Sequence, residues 1–118
     1  MKILIVEDDI STRDASSFYL DGIGHEVKAA ATPAEARELA AENPPDVLIC
    51  DWRLGGTEDG ADVARDLQSK YESNIIFITA HPLRALRSAT RDLQVARYLR
   101  KPISLGDLAA ALKDVEAA

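Results

Sequence analysis

The chain has one cysteine, Cys50, among 118 residues, so an internal disulfide is excluded and a reducing, cytoplasmic compartment is expected. Basic charge is also scarce, with 14 Lys and Arg against 20 Asp and Glu for a net charge of −6. Coating DNA or RNA needs basic surface to displace counterions, so no direct nucleic-acid role is expected. No apolar run approaches 18 residues, so no membrane span is expected. The opening MKILIVEDD is too short in its apolar part, and too acidic after it, for a signal peptide. Repeats, low-complexity tracts and linkers are missing too. A chain of 118 residues has room for one domain, 1–118, and little for a second. What is present is an ordinary globular share of apolar residues, 47%, enough for a buried core.

The apolar residues fall into strand-like runs separated by helical patterns. Lys2–Val6 (KILIV), Asp46–Cys50 (DVLIC) and Asn74–Thr79 (NIIFIT) read as strands buried on both faces, because they lack polar alternation. Glu26–Ala30 is a weaker strand and Val95–Arg100 a last one. Between them, Asp9 or Ser11 can cap a helix running to about Leu20. Thr32, Pro33 and Glu35 together mark a second helix start, with Thr as cap, Pro at the first position and Glu three after the cap. A glycine-rich loop, Gly55 to Gly60, leads to a third helix with Val63 and Leu67 on one face. Pro82 opens a fourth. Ser104 caps a fifth, with Leu105, Leu108, Ala109, Leu112 and Val115 at helical spacing. Five strands alternating with five helices predict an α/β fold: right-handed crossovers and a doubly wound parallel five-stranded sheet.

Ligands of such sheets sit beyond the carboxyl ends of the strands. Glu7, Asp8 and Asp9 follow the first strand, Asp51 the third, Thr79 the fourth and Lys101 the fifth. Any one acid there could simply cap the next helix, and Asp9 is assigned to that role. Four matched strand ends instead predict one rim where carboxylates, a hydroxyl and an ammonium converge. Clustered carboxylates repel one another, and a hard divalent ion such as Mg²⁺ relieves that.

ILIVEDD, PDVLICDWRL, IIFITA and YLRKP, in this order, resemble the receiver domain of two-component response regulators across essentially the whole chain. Thr79 and Lys101 are 22 residues apart, the spacing of the chemotaxis-type single-domain members. The resemblance implies a flavodoxin-like (βα)5 fold with strand order 2-1-3-4-5. It implies Asp51 as phosphoacceptor, with Mg²⁺ held by Asp8, Asp51 and the backbone carbonyl of Arg53, and by Glu7 through a water. Thr79 and Lys101 would bind the phosphoryl group, Ala80 would leave room for it, and the Lys101-Pro102 peptide would be cis. Tyr98 would rotate inward when Thr79 moves, although an ordinary half-buried strand aromatic fits the bare residues as well. The implied partners are a sensor histidine kinase or histidine phosphotransfer protein, and a downstream protein on the face of the fourth helix, fifth strand and fifth helix. Pairing into a homodimer on phosphorylation is left open. The chain would promote only its own phosphorylation and dephosphorylation and would not be an enzyme on other substrates.

Some features depart from that pattern or add to it. The family loop after the acceptor usually carries Pro four residues on and Gly eight on; here Gly55 and Gly60 stand four and nine on, which predicts a longer and looser loop. Arg53 and His81 hold variable positions flanking the acceptor, where they either tune the lifetime of the phosphoryl group or remain solvated. Residues 1–70 carry 7 basic and 15 acidic side chains, residues 71–118 carry 7 and 5. Arg84, Arg87 and Arg91 are expected on one helical face, either as a docking stripe for an acidic partner or as solvated charge. Cys50 reads as a core residue, and Trp52 as a fluorescence reporter beside Asp51. Two alternatives compete with the phosphorylatable receiver. One is a small Mg²⁺-dependent aspartyl phosphatase of the haloacid dehalogenase type, which would want Asp-x-Asp where this chain has Glu7-x-Asp9. The other is a receiver that binds partners without phosphorylation. A start at Met1, with no output domain after Ala118, fits a stand-alone protein, though a receiver cut from a longer regulator would read the same.

Overall fold

The five apolar runs form five strands in the computed structural model, which describes residues 1–117. They are β1 (Lys2–Val6), β2 (Glu26–Ala30), β3 (Val47–Asp51), β4 (Asn74–Thr79) and β5 (Val95–Arg100). All neighbours pair in parallel, in the order β2-β1-β3-β4-β5, which is the flavodoxin-like arrangement. The chain reverses its direction of winding between β1 and β3, so a crevice opens above their carboxyl ends. β3 lies one residue later than the apolar pattern suggests. Asp51 still pairs with Ile78, while Asp46 accepts a hydrogen bond from the Lys2 amide (2.8 Å) just before the strand.

Five helices cover the sheet: α1 (Ile10–Gly22), α2 (Pro33–Glu42), α3 (Gly60–Lys70), α4 (Leu83–Ala89) and α5 (Leu105–Ala117). Their starts follow local chemistry. The Asp9 carboxylate accepts from the Thr12 amide and hydroxyl, which settles the cap of α1 and holds the Asp9 carboxyl below its usual pKa. Thr32 accepts from the Glu35 amide, Asp59 and Asp62 form a reciprocal capping box, and Ser104 accepts from the Asp107 amide.

Two expectations need correction. In α5 Ala111, rather than Ala109, is buried beside Leu108, Leu112 and Val115. α4 stops at Ala89, so Arg91 lies beyond the helix and shares no helical face with Arg84 and Arg87. The helix ends at Thr90, whose amide turns to the Arg87 carbonyl (3.3 Å) in a tightened last turn while its hydroxyl donates to the Leu86 carbonyl (2.8 Å).

The core lies in two layers. Leu4, Val6, Leu48, Cys50, Ile75 and Phe77 pack against α2, α3 and α4, with Trp52 and Leu54 joining them. Ile3, Ile5, Val47, Ile49 and Ile76 pack against Leu20 of α1 and Leu108, Ala111 and Leu112 of α5. The first layer includes the closest backbone approach. A Cβ at Gly60 would collide with the carbonyl oxygen of Asp51 and come within 2.7 Å of the Cys50 sulfur. Above the second layer an open groove of about 640 Å³ runs between α1 and α5, floored by Ile49, Ile78, Leu105 and Leu108, edged by the small residues Ala15 and Ser16, and continuous with Asp51 and Lys101.

Candidate functional site

The strand ends deliver their polar residues to one rim. Glu7 follows β1 and is 5% exposed, Asp51 ends β3, Thr79 ends β4 and is fully buried, and Lys101 follows β5. The Lys101 ammonium donates to Glu7 Oε1 (2.9 Å) and to Asp51 Oδ2 (2.7 Å). Burial works against that charge, but the hydrogen bonds to Asp51 and Glu7 and their negative charge outweigh it and raise the Lys101 pKa above the ordinary lysine value. The Lys101 amide also donates to the Thr79 carbonyl (2.8 Å), which locks the two strand ends together. The Lys101-Pro102 peptide is cis.

Carboxylate oxygens of Glu7, Asp8 and Asp51 lie within 4.8 Å of one another. Three carboxylates therefore face one ammonium, and the imbalance is the kind a hard cation offsets. An all-oxygen, half-buried donor set of this size suits Mg²⁺ better than a softer metal. Gly55, at φ 74°, turns the loop so closely past Asp8 that a Cβ there would stand 3.3 Å from Asp8 Oδ2. Asp9, the third acid, is spent on capping α1.

Other expected positions divide between the rim and its surroundings. Ala80 is exposed and lines the α1–α5 groove beside Asp51 and Lys101. Thr79 Oγ1 accepts from the His81 amide (3.0 Å). Arg53 donates its amide toward Asp51 Oδ1 (3.4 Å), and its guanidinium lies 4.1 Å above the Trp52 ring. His81 meets the same indole edge-on at 5.9 Å, so Trp52 touches both the Arg53 and the His81 side chains. Tyr98 lies away from the carboxylates, half-buried, stacked on Phe77, with its hydroxyl 2.7 Å from Thr90 Oγ1 and the Arg87 guanidinium over its ring. Arg84, Arg87 and Arg91 are exposed. Cys50 is buried, and burial pushes its thiol pKa up, as suits a core residue.

Sequence reasoning missed several residues. Arg13 on α1 donates to the Glu7 carbonyl (2.9 Å), and Thr90 holds Tyr98. The loop after Asp51 has tethers that no local pattern announces: Trp52 Nε1 donates to Asp59 (3.2 Å) and Arg37 grips Glu58. Partners brought together across 21 residues, as Arg37 and Glu58 are, leave no local pattern to read.

A parallel α/β sheet brings acids, a threonine and a lysine together at the carboxyl ends of its strands. The chain belongs to the response regulator receiver domain family, whose model matches residues 3–113. Among solved structures it is similar to the chemotaxis protein CheY4 of Vibrio cholerae, at 28% identity, TM-score 0.88 and 97% of each chain covered. It is similar also to the N-terminal domain of a three-domain regulator from Carboxydothermus hydrogenoformans (29%, TM-score 0.86, covering 96% of this chain and 91% of that one). A receiver domain protein from Clostridium thermocellum matches at 27%, TM-score 0.85 and coverage of 96% and 91%. The protein is thus a receiver domain of two-component signalling, with an acidic group able to hold a metal ion. No helix among the described residues is long and apolar enough to cross a membrane.

Proposed function

We propose that Asp51 accepts a phosphoryl group from a phosphohistidine on a sensor kinase or phosphotransfer protein. The observation that carries this reading is the rim itself: Asp51 at the end of β3, one oxygen held by Lys101, with Glu7 and Asp8 within metal-sharing distance. An Asp51 carboxylate oxygen attacks phosphorus in line. The bond from phosphorus to the donor imidazole nitrogen breaks, and its electron pair leaves with that ring. A carboxylate is a modest nucleophile, so the site contributes position and charge neutralisation rather than a general base. Asp8, Asp51 and the Arg53 carbonyl would hold Mg²⁺, with Glu7 acting through a water, and the ion would supply charge neutralisation for the phosphoryl oxygens. Lys101 neutralises the same charge from the β5 side. Thr79 gives its hydroxyl to a phosphoryl oxygen, and Ala80, without a bulky side chain, leaves the space. Arg53 and His81, both held on Trp52, set how long the phosphoryl group survives by controlling the approach of water.

The added charge is about −2 with three strong acceptors. Drawing Thr79 toward them shifts the packing of Tyr98 and Arg87, and with it the face of α4, β5 and α5 that meets a downstream protein. Arg84, Arg87 and Arg91 give that face its positive sign and favour an acidic partner. The haloacid dehalogenase reading is disfavoured because Asp9, its second acid, caps a helix. Intact mass after incubation with acetyl phosphate and Mg²⁺ tests the proposal. One phosphoryl group on the wild type and none on Asp51→Asn is expected. Turnover of free phosphate esters without an adduct would favour the phosphatase, and neither signal would favour a receiver that is never phosphorylated.

A further inference from the structure

We propose that Arg37, on α2, is a positioning residue for the metal site, acting through Glu58 on the loop that follows Asp51. The inference rests on the metal and acceptor reading above. That loop must present two things to the rim: the Arg53 carbonyl, and the Gly55 turn against Asp8. Its inner end is fixed to the sheet, since the Trp52 amide donates to Ile78 and the Gly60 amide to the Trp52 carbonyl (2.6 Å). Its outer part, residues 55 to 58, is exposed and contains the adjacent glycines Gly55 and Gly56, the least restrained backbone available. One side chain in that stretch is gripped from outside. Glu58 receives both terminal nitrogens of Arg37, at 2.8 and 2.7 Å, in the fork geometry that only arginine offers.

The third donor of Arg37, Nε, holds Asp66 on α3 at 2.8 Å, and Lys70 reaches Asp66 from the other side. The α2–α3 contact is therefore already bridged by Arg37 and Asp66. The Glu58 grip adds nothing to helix packing and acts on the loop alone. An isolated exposed ion pair is worth little, but a bidentate pair inside a charge network is the recognised exception. A loop with a glycine pair opens easily, so even a modest tether changes the fraction of time it is in place. The loop is one residue longer than the family pattern, and the strap takes up the slack.

The test uses the whole chain and two readouts. Hydrogen exchange on metal-free protein should show the hydrogen-bonded amides of Asp59 and Gly60 exchanging about 3- to 10-fold faster in Arg37→Ala and in Glu58→Gln, with the double variant no faster than either single. Titration with Mg²⁺ or Mn²⁺, followed by Trp52 fluorescence, should show metal affinity lowered by about 3- to 10-fold in the same variants. Arg37→Lys, which can hold one partner but not the fork, should fall between. Arg97→Ala, which removes an exposed pair with Asp114 between β5 and α5, should leave both readouts unchanged. Unchanged exchange or unchanged metal affinity in Glu58→Gln overturns the strap. It is the variant that keeps Arg37–Asp66 and so keeps the fold. A wild-type protein that binds neither metal sinks the functional reading itself, and the exchange rates then decide by themselves whether the tether holds the loop.

Discussion

One side of the sheet, against α2, α3 and α4, is filled by Phe77, Trp52, Leu67 and Leu86, each at most 5% exposed, with Tyr71 and Tyr98 sealing its edge. The other, against α1 and α5, carries an open groove of about 640 Å³, and α1 meets it with Ser11, Thr12, Ala15 and Ser16. The large apolar residues left exposed among the described residues, Ile10, Phe18 and Ile23, all lie on α1 or at its end. Both sides share the central strands, so Asp51 sits on a rim with one closely packed wall and one grooved wall. The packed wall holds the loop after Asp51 and the Tyr98 ring. The grooved wall leaves open space beside Lys101 and Ala80. In this fold, packing differs by face and not by strand.

Truncation should expose the contrast most strongly. Phe77→Ala removes a fully buried ring and the stack under Tyr98, and should cost about 3–5 kcal/mol in urea unfolding. Leu108→Ala, on the floor of the open groove where water can fill the space, should cost about 2 kcal/mol, the low end for its class. Equal losses on a common scale would erase the contrast. Filling gives a smaller effect of opposite sign: Ser16→Leu should stabilise by about 0.5–1.5 kcal/mol through buried area and helix propensity. A loss instead would mean that the space is not available to a side chain. The smallest effect is with pH. Hydrogen bonds from Arg37 hold the Glu58 and Asp66 carboxyls below their usual values. Groups with lowered folded pKa stabilise above their unfolded values, about 4.5 and 3.8, and lose that contribution as pH falls through the folded ones. Amides around residues 58–66 should therefore gain exchange below about pH 4 before those of α5 do.

What could be read from the sequence was local. KILIV and NIIFIT announce buried strands through composition alone, and the residues ending each run fall on one rim because parallel topology aligns the strand ends. Thr32-Pro33 and Ser104 carry their helix starts in adjacent residues. What was hidden depends on distance or on backbone pairing. The register shift between Ile75 and Ile76, which sets Tyr98 beside Phe77, is decided by how two strands pack. The end of α4 turns on the Thr90 amide settling on the Arg87 carbonyl, so the arginine pattern extends past the helix that carries it. The groove beside α1 was equally hidden: small residues at positions 11, 15 and 16 permit close packing as readily as they permit a groove.

Gly60 has a consequence beyond its conformation. With hydrogen as the one substituent that fits there, α3 is braced on the main chain of Asp51 itself, and no rotamer stands between them to absorb movement. Position 60 is a bare joint: whatever shifts the first turn of α3 is handed straight to the Asp51 carbonyl, and a displacement of β3 travels back along the helix undamped.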